Sequence, residues 1–373
     1  MIARSSLFLS LATAASTCLG AGHPPILVDA TANEYQTLAD VNGDGTLDLV
    51  VVDKTSGQVR IAETDGDAEI TWRSSAWDSG LRDVTGFSTG YLLDPSREAI
   101  ALTSSLDNRI QLIDTPNEAT LIEPQKLPQA KIGPSLITAL QVPGGPIADY
   151  TPDLEDLIYH AVYDDPSNEN VVQGFRNRDG SLPMDEFAIA DAPGVASHPE
   201  AVTLQAGMTP AYAMLRSESG AAQLELYDIE KDPIQLIGKL VDIPLDSDYV
   251  AADFDGDGEA EFVFWTVGSS EVYETQWNGG LTTLTSFTYT DAAPITALRV
   301  IYTTGQAELL VIHSDGTKAD RVSYAGSGSI SIEESFTSKS GQPYTGALST
   351  EKVLHLLAGA SGSDDYESHR FDS

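Results

Sequence analysis

A chain of 373 residues with 41% hydrophobic content can bury a sizeable core, in one large domain or two smaller ones. It carries 56 acidic side chains against 20 Lys and Arg, a net charge of −36. Such a balance repels nucleic acid and anionic membranes and leaves divalent cations, cationic partners or anionic ligands bridged by a cation; solubility in a saline medium accounts for it equally well.

Residues 1–20 read as a secretory signal, with Arg4 as the positive start, "LFLSLATAA" (7–15) as the apolar stretch and small residues up to Gly20 at the cleavage point. The apolar run is too short to span a bilayer, and no later segment reaches about 18 apolar residues, so no membrane span is expected. Cleavage after Gly20 removes Arg4 and no acidic residue, leaving 19 basic against 56 acidic side chains, or −37. It also removes Cys18, the single cysteine, so packing, hydrogen bonds or metal must hold a secreted chain without disulfides.

From residue 21 onward short apolar or alternating runs dominate, separated by Gly, Pro, Asp, Asn and Ser. "YQTLAD" (35–40) precedes "DLVVVD" (48–53), "QVRIAET" (58–64) and "AEITW" (68–72), the last three joined by tight turns. The order recurs at "DYVAAD" (248–253), "EFVFWTV" (261–267), "EVYETQW" (271–277) and "LTTLTSF" (281–287), and again at "PITALRV" (294–300), "AELLVIH" (307–313) and "KADRVSY" (318–324). "ITAL" occurs at 137–140 and at 295–298, 158 residues apart. One anchor per unit, Leu38, Leu92, Leu140, Leu204, Ala251, Leu298 and Leu348, gives six intervals over 310 residues, a mean near 52.

Seven four-stranded units of this length predict an all-β, seven-bladed β-propeller, because a lone blade cannot bury both faces and a ring of blades can. Approximate blades are 31–84, 85–132, 133–196, 197–245, 246–292, 293–341 and 342–373. The last unit has three strands, at 345–350, 352–358 and 365–371, so "PPILVDA" (24–30) is expected to supply its fourth and close the ring. An open two-sheet assembly or two β domains is the alternative; no linker or composition break divides 21–373, which favours one domain.

Two loops carry a cation-binding pattern. In "DVNGDGTLD" (40–48), Asp40, Asn42 and Asp44 stand at loop positions one, three and five, Gly45 at six permits the sharp turn, Thr46 at seven offers its carbonyl and Asp48 at nine closes the shell. "DFDGDGEAE" (253–261) repeats it with Asp253, Asp255, Asp257, Gly258, Glu259 and Glu261. Both follow the first strand of a unit and precede the second. An EF-hand is excluded, because Val51 stands where its last glutamate belongs and a strand follows in place of a helix. Asp, Asn and Gly also favour ordinary turns, but a plain turn does not need so many mutually repelling carboxylates.

Asp-x-[Asp/Asn]-x-Asp-Gly-x-x-Asp between two propeller strands is similar to the FG-GAP/VCBS repeats, as in the integrin-α N-terminal propeller. The resemblance covers nearly all of the mature chain as repeat rhythm and is motif-specific only at 40–48 and 253–261. It implies a seven-bladed propeller with Ca2+ in hairpin loops, here two sites, and a secreted or surface-associated binding module. The chain departs from the family in lacking a clear Phe-Gly…Gly-Ala-Pro signature and in placing Glu261 where the last Asp belongs, so that carboxylate must fold back by one more methylene. "LLDPSREAI" (92–100) keeps only Asp94 and puts Arg97 inside the loop; Asp149, Asp153, Glu155 and Asp156 are dense but wrongly spaced, and read as a solvated loop.

Signals for catalysis are weak. "GFSTG" (86–90) centres Ser88 in a Gly-x-Ser-x-Gly pattern, but a strand follows where a nucleophile elbow needs a helix. No histidines share a zinc spacing, and among 56 acidic residues no carboxylate pair can be singled out for glycoside chemistry. Trp72, Trp77, Trp265 and Trp277 read as packing residues, with sugar stacking by one of them as the alternative. The expectation is a secreted, monomeric, calcium-binding propeller serving adhesion or binding of an extracellular protein or glycan, with no catalytic residues assigned. The alternatives are a polysaccharide lyase or glycoside hydrolase and a purely structural extracellular subunit. The loops near 141–156 and 165–200 are the expected partner surface.

Overall fold

The computed structural model describes residues 29–371, apart from 32, 65–69, 74–75, 95, 108, 115–119, 122–124, 127–129, 141–155, 164–169, 177–184, 192–194, 206–207, 209–210, 219, 229–234, 290–293, 304–305, 327, 350–352 and 360–365; over 115–199 it describes the strands by their backbone alone. Among these residues every regular element is a strand, and no helix is long and apolar enough to cross a membrane.

The strands form seven antiparallel sheets in chain order. The first holds β1 (Asp29–Ala30), β2 (Glu34–Ala39), β3 (Asp48–Asp53), β4 (Gln58–Thr64), β5 (Ile70–Trp72) and β6 (Trp77–Asp78). The second holds β7 (Val84–Asp94), β8 (Arg97–Ser104), β9 (Arg109–Asp114), β10 (Thr120–Leu121) and β11 (Gln125–Lys126). Four four-stranded sheets follow: β12 (Ala130–Leu140), β13 (Asp156–Tyr163), β14 (Asn170–Arg176) and β15 (Asp185–Asp191); β16 (Val195–Val202), β17 (Ala211–Glu218), β18 (Ala221–Asp228) and β19 (Gln235–Ile243); β20 (Ser247–Ala252), β21 (Glu261–Thr266), β22 (Glu271–Gln276) and β23 (Thr285–Thr288); β24 (Ile295–Thr303), β25 (Gln306–His313), β26 (Lys318–Tyr324) and β27 (Ile330–Thr337). The last sheet has three strands, β28 (Tyr344–Ser349), β29 (Val353–Ala358) and β30 (Tyr366–Arg370). In the first two sheets the outer position is shared by two short strands, β5 and β6 against β4, and β10 and β11 against β9.

Side-chain alternation along a strand explains the assembly. In β3, Val50 and Val52 pack towards Phe87, Ile100 and Leu102 of the second sheet, while Leu49 and Val51 pack towards Leu348 and Tyr366 of the last. In β21, Phe262 and Phe264 meet Leu215, Leu224 and Tyr249, while Val263 and Trp265 meet Leu309, Val311 and Tyr324. The central strand of each such sheet is therefore buried on both faces, which is why it reads as a continuous apolar run. Neighbouring sheets also bring β2, β7, β12, β16, β20, β24 and β28 side by side, and β28 lies beside β2.

Among the described residues, the N-terminal segment does not complete the last sheet. Residues 24–28 lie outside the described residues, and Asp29–Ala30 pair with β2, Asp29 opposite Gln36 and Ala30 opposite Tyr35. The physical reason is the Asp29 carboxylate, which is buried and accepts from Arg299 Nε at 2.5 Å, the Ala347 amide at 2.7 Å and Gln36 Nε2 at 3.2 Å. Donors from the sixth, seventh and first sheets thus draw the segment to the seam between last and first sheets. A side chain at Gly346 would collide with the Gln36 amide and the Asp29 carboxylate, so this approach requires glycine there.

Candidate cation-binding loops

Both acidic loops lie between the first and second long strands of their sheets, β2 to β3 and β20 to β21. Each is folded by its own carboxylates. Asp40 accepts from the amides of Gly43 (2.7 Å), Asp44 (3.2 Å) and Gly45 (2.8 Å); Asn42 accepts from Asp44 at 2.8 Å and Asp44 from Thr46 at 2.8 Å. In the second loop Asp253 accepts from Gly256 (2.8 Å) and Gly258 (2.9 Å), Asp255 from Asp257 (3.0 Å) and Asp257 from Glu259 (2.8 Å). Gly43, Gly45, Gly256 and Gly258 all have φ between 77° and 90°, the left-handed region that lets successive amides turn inward.

The last carboxylate of each loop opens the second strand and is buried: Asp48 is 1% exposed and Glu261 3%. Glu261 folds back, as its extra methylene requires, and its Oε2 accepts from the Phe254 amide at 2.8 Å. Its other oxygen is buried with no hydrogen-bond partner, and so is Asp48 Oδ2. Burial pushes both carboxyls up to about 7, and burial also raises Asp253. Buried carboxylate oxygens without donors are costly unless a positive charge meets them.

The two loops differ in convergence. Asp253, Asp255 and Glu261 each offer a carboxylate oxygen, and these oxygens lie within 4.8 Å of one another. Oxygens bound to one calcium at about 2.3–2.6 Å can be that far apart, so this donor set fits a hard cation. Among the described residues the first loop forms no such group: Asp44 is exposed and Asn42 Nδ2 donates to Asp44 Oδ2 at 3.0 Å. A backbone hydrogen bond from Thr46 lowers the Asp44 carboxyl. Asp257 is held by Gln276 Nε2 at 2.8 Å, apart from the converging group, and the partly buried Glu259 bridges to Gln205 of the fourth sheet.

Several contacting residues have no local motif. Glu98, at the start of β8, accepts from the Asp40 amide at 3.1 Å and donates its own amide to the Asp40 carbonyl at 2.9 Å, tying the first loop to the second sheet. Gln306 of the sixth sheet donates to the Phe254 carbonyl at 3.3 Å, and Ala260 donates to the Leu204 carbonyl at 3.0 Å. Arg73 Nη2 lies 3.7 Å from Asp48 Oδ2, and Arg73 Nε 3.2 Å from Glu63. In the second sheet Arg97 occupies the loop: Nη1 is 2.5 Å from Asp94, and Nε and Nη2 are each 3.0 Å from Asp114. Asp149, Asp153 and Glu155 lie outside the described residues, and Asp156 begins β13. Ser88 is buried inside β7, with a strand, β8, as the next element. Trp265 and Trp277 are buried, while Trp72 and Trp77 are partly exposed, with Arg60 lying 4.8 Å over the Trp72 ring.

No family model and no curated protein matches this sequence. Solved structures do match in shape. A lectin of Agrocybe aegerita that recognises non-reducing terminal N-acetylglucosamine superposes with a TM-score of 0.51 at 14% identity, over 83% of this chain and 81% of that one. The β-propeller domain of Myceliophteria thermophila Cps50 (Swd1) gives a TM-score of 0.51 at 10% identity, over 90% and 96% of the two chains. BBS1N, solved in complex with ARL6DN, gives 0.50 at 12% identity, over 90% and 88%. The fold is that of a β-propeller. At these identities the likeness is one of fold alone, and the chemistry must be read from the propeller's own loops.

Proposed function

We propose that this chain is a secreted, monomeric, calcium-stabilised propeller of seven blades, one per sheet, related to the FG-GAP/VCBS repeats and acting as a non-enzymatic module that binds an extracellular protein or glycan. The observation that carries the reading is the second loop, where carboxylate oxygens of Asp253, Asp255 and Glu261 converge and Glu261 has one buried oxygen without a hydrogen-bond partner. Calcium there would neutralise three carboxylates and satisfy that oxygen. Asp40, Asn42, Asp44, Asp48 and the Thr46 carbonyl would hold a second ion in the first loop. Extracellular modules bind calcium at about 10⁻⁴–10⁻³ M, and filling one site to 100 times its Kd adds about 2.7 kcal/mol of stability. The ions would act on structure, and the partner would be met by loops at one end of the ring.

The test is thermal unfolding of the mature protein in EDTA and through a calcium titration, beside Asp44→Ala and Asp255→Ala. A melting temperature that climbs with calcium, and climbs less in each variant, is expected. A flat response would make both loops polar turns and remove the support for the family and the binding role. A glycan array with and without calcium then addresses the ligand, beginning with terminal N-acetylglucosamine, the ligand of the Agrocybe lectin of similar fold.

A further inference from the structure

Three sheets surround the same loop position with different charges. The last loop residue opens the second strand in the first and fifth sheets, where Asp48 pairs with Ala39 and Glu261 with Ala252; at the matching register step of the second sheet stands Ala99, inside β8 and opposite Gly90. Facing it on the next strand is Gln276 in the fifth sheet; the registers Leu49 to Ala62 and Ile100 to Ile113 put Glu63 and Asp114 at the same step in the first and second.

In the second sheet the last carboxylate is replaced by Ala99, and Asp114 with Asp94 grips the Arg97 guanidinium. That loop carries its own cation. In the fifth sheet the facing residue is the neutral Gln276, which donates to Asp257, and among the described residues no ion pair reaches Asp253, Asp255, Asp257 or Glu261. On the calcium reading, that loop would draw its cation from outside. The first loop stands between them: Glu63 holds Arg73, whose Nη2 lies 3.7 Å from the unpartnered Asp48 Oδ2.

We propose that Arg73 is a built-in competitor for the cation of the first loop, and that it sets that loop's calcium affinity below that of the second. The inference rests on the calcium reading of both loops. A guanidinium at the edge of the donor set repels a divalent ion and supplies part of the charge that ion would supply. Arg73 is 23% exposed, so water screens this repulsion without removing it. The donor sets point the same way: the first loop has an amide, Asn42, at the position where the second has a carboxylate, Asp255, which belongs to its converging group. Calcium affinity follows ligand charge. The second loop therefore fills first as calcium rises, and the first fills only at higher concentration.

Calorimetric calcium titration of the mature chain tests this, with Arg73→Gln, Arg73→Lys and Asp44→Ala beside the wild type; unfolding in EDTA checks that all fold alike. Two unequal sites are expected, with Asp44→Ala abolishing the weaker. Arg73→Gln should tighten the weaker site about tenfold, equivalent to about 1.4 kcal/mol, and leave the tighter unchanged, while Arg73→Lys stays near wild type. Two bound ions with Arg73→Gln altering neither affinity would overturn the proposal, as would Arg73→Lys tightening as much as Arg73→Gln. Absence of any calcium binding in the wild type would instead refute the calcium reading itself, and this inference with it.

Discussion

Asp29→Ala should open the seam between the last and first sheets. The carboxylate is 4% exposed and takes donors from three sheets: Arg299 Nε, the Ala347 amide and Gln36 Nε2. Its removal strands a guanidinium that is only 19% exposed and a buried backbone amide. An orphaned buried donor costs about 1–3 kcal/mol, and breaking a buried ion pair from one side about 3–5 kcal/mol. The two costs overlap, so a loss of about 3–5 kcal/mol is expected. Urea unfolding at fixed calcium reads it as a lower midpoint with the slope unchanged. The double variant Asp29→Leu with Arg299→Met removes both charges and should recover most of the loss, because the expensive state is the unpaired one. A single variant within about 1 kcal/mol of wild type would refute the reasoning. The donors on Arg299 and Ala347 lie 270 and 318 residues along the chain from Asp29; a contact of such separation is expected to form late in folding, so its loss should speed unfolding more than it slows folding.

Two further outcomes concern ionisable side chains in other sheets. Burial lowers His355 to about 4 from its usual 6.5. The folded state keeps the ring neutral while the unfolded chain takes a proton, so stability from this residue is full above about pH 6.5 and falls as pH drops towards 4, by up to about 3 kcal/mol. His355→Gln should flatten that part of the stability profile, and an unchanged profile would place the acid sensitivity elsewhere. Arg97→Ala leaves Asp94 and Asp114 facing one another without their cation; all three side chains are partly exposed, so a loss of about 1 kcal/mol is expected in urea.

Strands were legible where burial on both faces wrote itself into the residues. "DLVVVD" and "QVRIAET" coincide with β3 and β4, and "KADRVSY" with β26. The outer strands were not. The run at 281–287 was expected as one strand, but Leu281 closes a bridge to Trp277 around a left-handed Gly279, and β23 begins only at Thr285. Outer strands carry few buried side chains, so their pattern holds little information. The N-terminal segment was misplaced for another reason: an apolar run announces a strand, but its pairing depended on one carboxylate meeting distant donors. At the loops, alternating carboxylates and glycines identified the turn-forming residues. Convergence of Asp253, Asp255 and Glu261 without Asp257 could not be read, because Gln276 takes Asp257 from a strand that carries no motif. Glu98 and Arg73 were hidden for the same reason, reaching the loop from another sheet or from just past β5.

In a ring of repeated sheets, stability divides into what each sheet holds alone and what each seam adds. The second acidic loop belongs to the seams. Its Ala260 amide is bonded to Leu204 of the fourth sheet and its Phe254 carbonyl to Gln306 of the sixth, with a bridge from Glu259 to Gln205. A cation seated there would enter the coupling between neighbours more than the stability of any one sheet. Removing it would loosen three sheets from one another before melting any of them, and unfolding would become less cooperative as well as easier.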